Sequence, residues 1–216
     1  EYKIILSYNG IDASEFGRAN PDRCLLPDLD MPKGDFIITC VANLIPYKGH
    51  SDIVSALKLV SDRASKIGLK PPRMLFVGDD RGIQAELEKQ AAEEGVANLL
   101  QFSGSRSDIP QILNASDMAI LASHEEGMSN ALLEYMCCAL PIIATDVGGN
   151  RELLGDAGLL VAPQSPEDLA DAIFDLYTDE DTARTLGQQA RARAISQFPL
   201  SASIDTYSNI YDALRT

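Results

Sequence analysis

The sequence predicts an α/β fold: a doubly wound, Rossmann-like parallel sheet followed by C-terminal helices. Three observations predict it. Short apolar runs alternate with stretches of helical period along nearly the whole chain. The apolar runs are continuous rather than alternating, as suits strands buried on both faces of a parallel sheet. The length of 216 residues, against roughly 150 for an average domain, fits one complete α/β domain with an appendage.

The strands are expected at residues 3–7, 36–41, 74–77, 99–102, 118–121, 142–144 and 159–161. A helix follows Lys48-Gly49, with Ile53, Leu57, Val60 and Ala64 on one stripe. Further helices are expected at residues 83–94, 109–115, 130–140 and 167–177, and two more at 179–197 and 201–214, separated at Pro199. The last carries Ile204, Tyr207, Tyr211 and Leu214 on one face, an apolar stripe that something must cover. Residues 20–34 hold Pro21, Pro27 and Pro32 among Asp and Gly and read as loop. Right-handed crossovers between such strands place ligands at their carboxyl ends, against helix N-termini.

Composition narrows the function. Apolar residues at 45% and charged residues at 23% exclude a disordered chain. No run approaches the roughly 20 apolar residues of a membrane helix. The chain opens on Glu1-Tyr2-Lys3 and runs straight into an apolar stretch, so it reads as a piece of something longer. The net charge of −14 repels nucleic acid and anionic lipid, so an anionic ligand must be held by a local device. Cys24, Cys40, Cys137 and Cys138 have neither disulfide-framework nor zinc spacing, and Cys137-Cys138 within a helical pattern reads as core of a reduced cytosolic protein. His50 and His124 have no metal-ligand partner at a recognised spacing, and Asp28-Leu29-Asp30 lies between prolines rather than at a strand end.

The densest chemical signal is the stretch from Ser123 through Glu126, Gly127, Met128, Ser129, Asn130 and Ala131 to Glu134. It leaves a strand and enters a helix. The first amides of that helix, with its dipole, form an anion site. Glu126 and Glu134, eight apart, then suit the hydroxyls of sugars on either side of a diphosphate. The plainer reading stands beside it: Ser129 caps a helix and Glu134 is solvated. A second strand–loop–helix junction ends in Lys48, which either neutralises the diphosphate or is a surface lysine; the glycine spacing is not that of a Walker loop. The loops holding Gly78 and Gly104 to Arg106 share the same sheet edge; their glycines either admit a flat base or make ordinary turns.

Taken together these residues resemble the C-terminal, donor-binding half of a retaining GT-B glycosyltransferase of glycosyltransferase family 4. The resemblance covers nearly the whole chain. Asn9-Gly10-Ile11-Asp12 is similar to the segment after the interdomain hinge, and residues 41–49 to the first donor loop. Glu126 to Glu134 matches the Glu-x7-Glu motif in register; Thr145-Asp146-Val147-Gly148-Gly149-Asn150-Arg151-Glu152 matches the following turn. Pro166-Glu167-Asp168-Leu169 matches the start of a later helix.

The resemblance implies a nucleotide-sugar donor, usually a UDP-sugar such as UDP-glucose, and transfer with retention of configuration in polysaccharide or glycolipid synthesis. It implies no metal and no other cofactor. Lys48 and Glu126 take the catalytic positions: Lys48 on the diphosphate, Glu126 with the amides of Gly127 to Ala131 on the donor sugar and diphosphate. Glu134 falls on the ribose, and the Arg106 loop on the base. Asn43 replaces the arginine usual in the first loop. Residues 1–198 would form the nucleotide-sugar domain, and residues 199–216 a helix that packs on an N-terminal acceptor domain absent from this chain. The expected setting is cytoplasmic, at the inner membrane face only through that domain. The fragment is expected to bind donor with little or no turnover. The alternatives are a nucleotide-sugar sensor, a GT-B epimerase and a sucrose-phosphate-type transferase.

Overall fold

The computed structural model describes residues 7–17, 26, 28, 29, 32 and 34–214. The strand expected at 3–7 (all but Ser7), most of the 20–34 loop, Cys24, Asp30 and the Leu214 side chain lie outside the described residues.

Six parallel strands stand in the order β3-β2-β1-β4-β5-β6. They are β1 (Ile37–Val41), β2 (Arg73–Val77), β3 (Leu100–Phe102), β4 (Met118–Leu121), β5 (Ile142–Thr145) and β6 (Leu159–Val161). Each lies within one residue of its expected bounds. The period of two divides them between two cores. Ile38, Cys40, Met74, Phe76, Met118 and Ile120 face α1 (His50–Lys66), α2 (Gln84–Glu93) and α6 (Pro166–Thr178). Leu121, Ile142 and Ala144 face α4 (Asn130–Cys137), α5 (Asn150–Leu154) and α7 (Glu180–Gln197). Ile37, Leu75 and Val77 pack against Ile112 of α3 (Ile109–Asn114). Burial on both faces is why the strands read as unbroken apolar runs.

The predicted stripe of Ile53, Leu57, Val60 and Ala64 is fully buried in α1. Two expectations need correction. The helix expected to run to residue 140 ends at Cys137, where Ala139 turns back with φ of 53°. That turn packs against Gly187 of α7, where a Cβ would stand 2.3 Å from the Ala139 carbonyl oxygen, so a side chain there would push the two apart. Residues 150–154, read as part of a turn, form α5. Cys40, Cys137 and Cys138 are buried thiols, and burial pushes Cys40 up to about 12, well out of reactive range.

Strand order reverses between β1 and β4. There the two strands pair only at Ile38–Met118 and Thr39–Ala119. Beyond that point they part, and the buried Tyr135 fills the gap: its hydroxyl oxygen accepts from the Val41 amide at 2.6 Å. The crevice above Tyr135 is the place where an open α/β sheet takes its ligand.

The last helix, α8 (Leu200–Leu214), begins at Pro199, which bridges to Ile11 in parallel. The Ile11 amide donates to Phe198 O at 2.9 Å and the Leu200 amide to Ile11 O at 3.1 Å. Ile204, Tyr207 and Tyr211 of α8 are exposed. Among the described residues no helix is long and apolar enough to cross a membrane.

Candidate functional site

Two loops meet over the crevice. The first, after β1, ends in a 3-10 turn (Pro46–Lys48) and Gly49. Gly49 has φ of 69°, and a Cβ there would stand 2.0 Å from the Ala122 carbonyl oxygen, so only glycine fits against the second loop. The contact is reinforced by the His124 amide, which donates to Tyr47 O at 2.7 Å. Between them Lys48 Nζ donates to Glu126 Oε1 at 2.6 Å, and Ser123 Oγ donates to the same oxygen at 2.7 Å. The sequence placed Lys48 and Glu126 in one cleft; the structure brings them into direct contact.

The second loop is braced from its far side as well. A Cβ on Gly148 would stand 1.9 Å from Glu126 O, and the Gly149 amide donates to Gly127 O at 2.8 Å. Thr145 Oγ1 donates to Ser123 O at 2.5 Å. The Gly-Gly turn therefore serves as backing for the loop that carries Glu126, a role that its spacing alone did not reveal.

At the start of α4, Ser129 Oγ accepts from the Leu132 amide at 3.3 Å, so Ser129 does cap the helix. The amides of Gly127, Met128, Ser129, Asn130 and Ala131 have no hydrogen-bond partner among the described residues. These donors stand at the positive end of the helix dipole and are able to bind an oxyanion. Asn9 closes over them, its side-chain amide donating to Asn130 Oδ1 at 2.9 Å and its backbone amide meeting Met128 Sδ at 3.1 Å.

Glu134 is not the solvated carboxylate of the plainer reading. Burial raises it from the ordinary glutamate range to about 7, and its carboxylate has no hydrogen-bond partner among the described residues. A half-buried carboxylate without a donor is suited to accept ligand hydroxyls.

Asn43 and Arg106 serve other partners. Asn43 Oδ1 accepts from the Asp79 amide at 3.1 Å, joining the first loop to the loop after β2. Arg106 grips Asp108 with two nitrogens, at 2.8 and 2.7 Å, and also bonds Asp28. Both carboxyls are held below their ordinary range by the guanidinium. Gly78 is required by packing, since a Cβ would stand 2.2 Å from Ala42 O; Gly104, with φ of 67°, faces open space.

One buried residue gave no signal in the sequence. His50, the first residue of α1, is fully buried edge-on to Phe76, with ring centroids 5.1 Å apart. Neither ring nitrogen completes a hydrogen bond within the described residues, and burial pushes the ring down to about 4, so it is neutral. The carbonyls of Ala42 and Ile45 favour its protonated form without outweighing that burial. It wedges the first loop from beneath.

A cavity of about 360 Å³ lined by Phe36, Asp117, Cys138, Pro141, Tyr177 and Arg184 opens at the opposite, amino-terminal edge of the sheet. The chemistry described above lies instead in the shallow carboxyl-edge crevice. Among the described residues no three His, Cys, Asp or Glu side chains group as a metal site.

Fold and site together define a Rossmann-like domain with an anion-ready crevice at its switch point, matching GT-B glycosyltransferase structures. The chain belongs to the glycosyl transferases group 1 family, whose model matches residues 26–193. It is 28% identical over 212 residues to N-acetyl-alpha-D-glucosaminyl L-malate synthase of Bacillus anthracis, covering 96% of this chain and 53% of that protein. Among solved structures, a glycosyltransferase from Rickettsia africae superposes with a TM-score of 0.87 at 26% identity, covering 99% of this chain and 58% of that one. HepE of Anabaena, solved in complex with UDP-glucose, gives a TM-score of 0.85 at 26% identity, covering 95% and 57%. The chain spans about half the length of the relatives it matches.

Proposed function

We propose that this chain is the donor-binding half of a retaining glycosyltransferase of family 4 that transfers a hexose from a UDP-sugar, with UDP-glucose as the donor. The observation that carries the reading is the Lys48–Glu126 contact at 2.6 Å beside the unpaired amides of Gly127 to Ala131. An ammonium and a cluster of bare N–H groups meet where a diphosphate would sit, and carboxylates stand on either flank. The likeness to HepE, solved with UDP-glucose, supports the choice of donor.

In the reaction, the bond between the sugar's anomeric carbon and the diphosphate oxygen breaks, the acceptor hydroxyl oxygen bonds to that carbon with its configuration kept, and the hydroxyl proton passes to the departing diphosphate oxygen. Charge grows on the departing diphosphate. Lys48 and the amides stabilise it, and because they are fixed by glycine-tight packing they need little rearrangement to do so. These groups supply the positive potential that a metal would otherwise bring, so the proposal includes none. Glu126 accepts from the sugar, Glu134 from the ribose, and the open face at Gly104 receives the base.

The acceptor would be aligned by a further domain that packs on residues 199–216. The exposed face of α8 supports that assignment. By itself the chain then binds donor with little or no turnover, since acceptor alignment supplies much of such a rate. The whole enzyme would build a polysaccharide or glycolipid on the cytoplasmic side, reaching the membrane face through that domain alone.

Calorimetric titration with UDP tests the site. Lys48→Ala should weaken binding by roughly 1.5–3 kcal/mol, the range for a charged hydrogen bond. Glu134→Ala should weaken UDP more than pyrophosphate; equal losses would remove Glu134 from the ribose. Chelation of divalent ions should leave UDP affinity unchanged.

A further inference from the structure

We infer that Glu126 is a built-in rival of the ligand's diphosphate for Lys48, and that this rivalry makes the site favour a nucleotide sugar over the sugar-free nucleoside diphosphate. The inference rests on the donor-site reading above and adds a selection rule to it.

The contact is not a loose surface pair. The Lys48 side chain is 19% exposed and that of Glu126 9% exposed, so solvent screens their attraction weakly. Glu126 is also held by Ser123, itself fully buried and tied through its carbonyl to Thr145. The backbones on both sides are fixed, by Gly49 against Ala122 and by Gly148 against Glu126. What is free to change is the side-chain partnership.

A diphosphate that reaches the amides of Gly127 to Ala131 brings a second anion to the same ammonium. Like charges at close range in a half-buried site repel strongly. The ligand and Glu126 therefore contend for Lys48. A sugar on the diphosphate resolves the conflict, because its hydroxyls donate to the Glu126 carboxylate and replace the bond lost to Lys48. A sugar-free diphosphate offers no such donors. Glu126 must then stand in a poorly solvated place with the Ser123 hydroxyl but no counter-charge, or hold on to Lys48, and either outcome weakens binding. The device thus admits loaded nucleotide and lets the spent one leave.

The test is titration of the 216-residue chain and of its Glu126→Gln variant with UDP-glucose, UDP, inorganic pyrophosphate and uridine. The unaltered chain should bind UDP-glucose tighter than UDP, and Glu126→Gln should narrow or reverse that preference; a preference that Glu126→Gln leaves unchanged would overturn the inference. Gln keeps the shape and removes the rival charge. UDP and pyrophosphate should each bind about tenfold tighter to the variant, as for loss of one close like-charge contact, with uridine unchanged. Uridine moving in step would indicate a general repacking and would overturn the inference. So would UDP affinity that is unaltered or lower in Glu126→Gln, while the donor site itself would stand. Failure of the unaltered chain to bind UDP at all would overturn both. Should Glu126→Gln not fold, Glu126→Asp, one methylene too short to hold Lys48, must still bind UDP tighter than the unaltered chain, by a smaller factor.

Discussion

The two coil-to-helix junctions beside the crevice are alike in outline and unlike in charge. α1 opens on Gly49 with no side-chain cap and places Asp52 in its first turn, where Asp52 Oδ2 lies 2.7 Å from His124 Nε2. α4 opens on Ser129 and has no acidic residue in its first turn. Both present amides without a partner among the described residues, yet α1 brings its own carboxylate to its positive end and α4 brings none. α1 stands on a rigid ledge that delivers Lys48, and α4 presents amides able to bind an anion.

This contrast can be broken most sharply at the glycines. Gly49→Ala forces a positive φ on a residue whose Cβ would overlap the Ala122 carbonyl, so it should destabilise the chain by ~3 kcal/mol or more in denaturant melts. Gly127→Ala on the α4 side, where a Cβ would meet nothing within 4 Å, should cost no more than ~0.5 kcal/mol. Equal losses would mean that the first junction is no more rigid than the second.

The next effect tests the charge inside the crevice. Glu134 titrates near 7 in the folded chain, above its ordinary value of 4.5. Its neutral form is thus preferred by the fold: the contribution is complete below pH 4.5 and is lost as pH rises through about 7. Glu134→Gln should then stabilise the protein by roughly 2–3 kcal/mol at pH 8 and by almost nothing at pH 4. Thermal melts across that range that show a constant offset would contradict the assignment.

The smallest effects compare the caps themselves. Ser129→Ala removes the bond to the Leu132 amide and should cost ~1 kcal/mol. Asp52→Asn should cost ~0.5 kcal/mol through the α1 dipole and the His124 contact.

Most of this architecture was legible because its cause is local. Strands buried on both faces must be short apolar runs, and helices such as α1 must carry Ile53, Leu57, Val60 and Ala64 on one side. The short α5 was not legible, because five residues behind a Gly-Gly turn show too little periodicity to separate helix from turn. The convergence of Lys48 and Glu126 on one cleft was implied by the family resemblance, while the residues alone left Lys48 open as a surface lysine. Their direct bond was not legible, since sequence shows which side chains share an edge but not which partner each takes. Arg106 illustrates the same limit: Asp108, two residues on, was in plain view, whereas Asp28 was reachable only through the fold. His50 gave no sign at all, because a histidine at a helix start is ordinarily exposed.

The parallel bridge of Ile11 with Pro199 has a mechanical side. Two residues before it Asn9 grips Asn130, and one residue before it Gly10 leaves no room to slide, since a Cβ there would stand 2.6 Å from Leu200 Cα. The start of α8 and the mouth of α4 are thus joined through only three residues, Asn9 to Ile11. A displacement of α8 would therefore be felt first at Asn130, at the start of α4, with Gly10 as the tightest point of the joint.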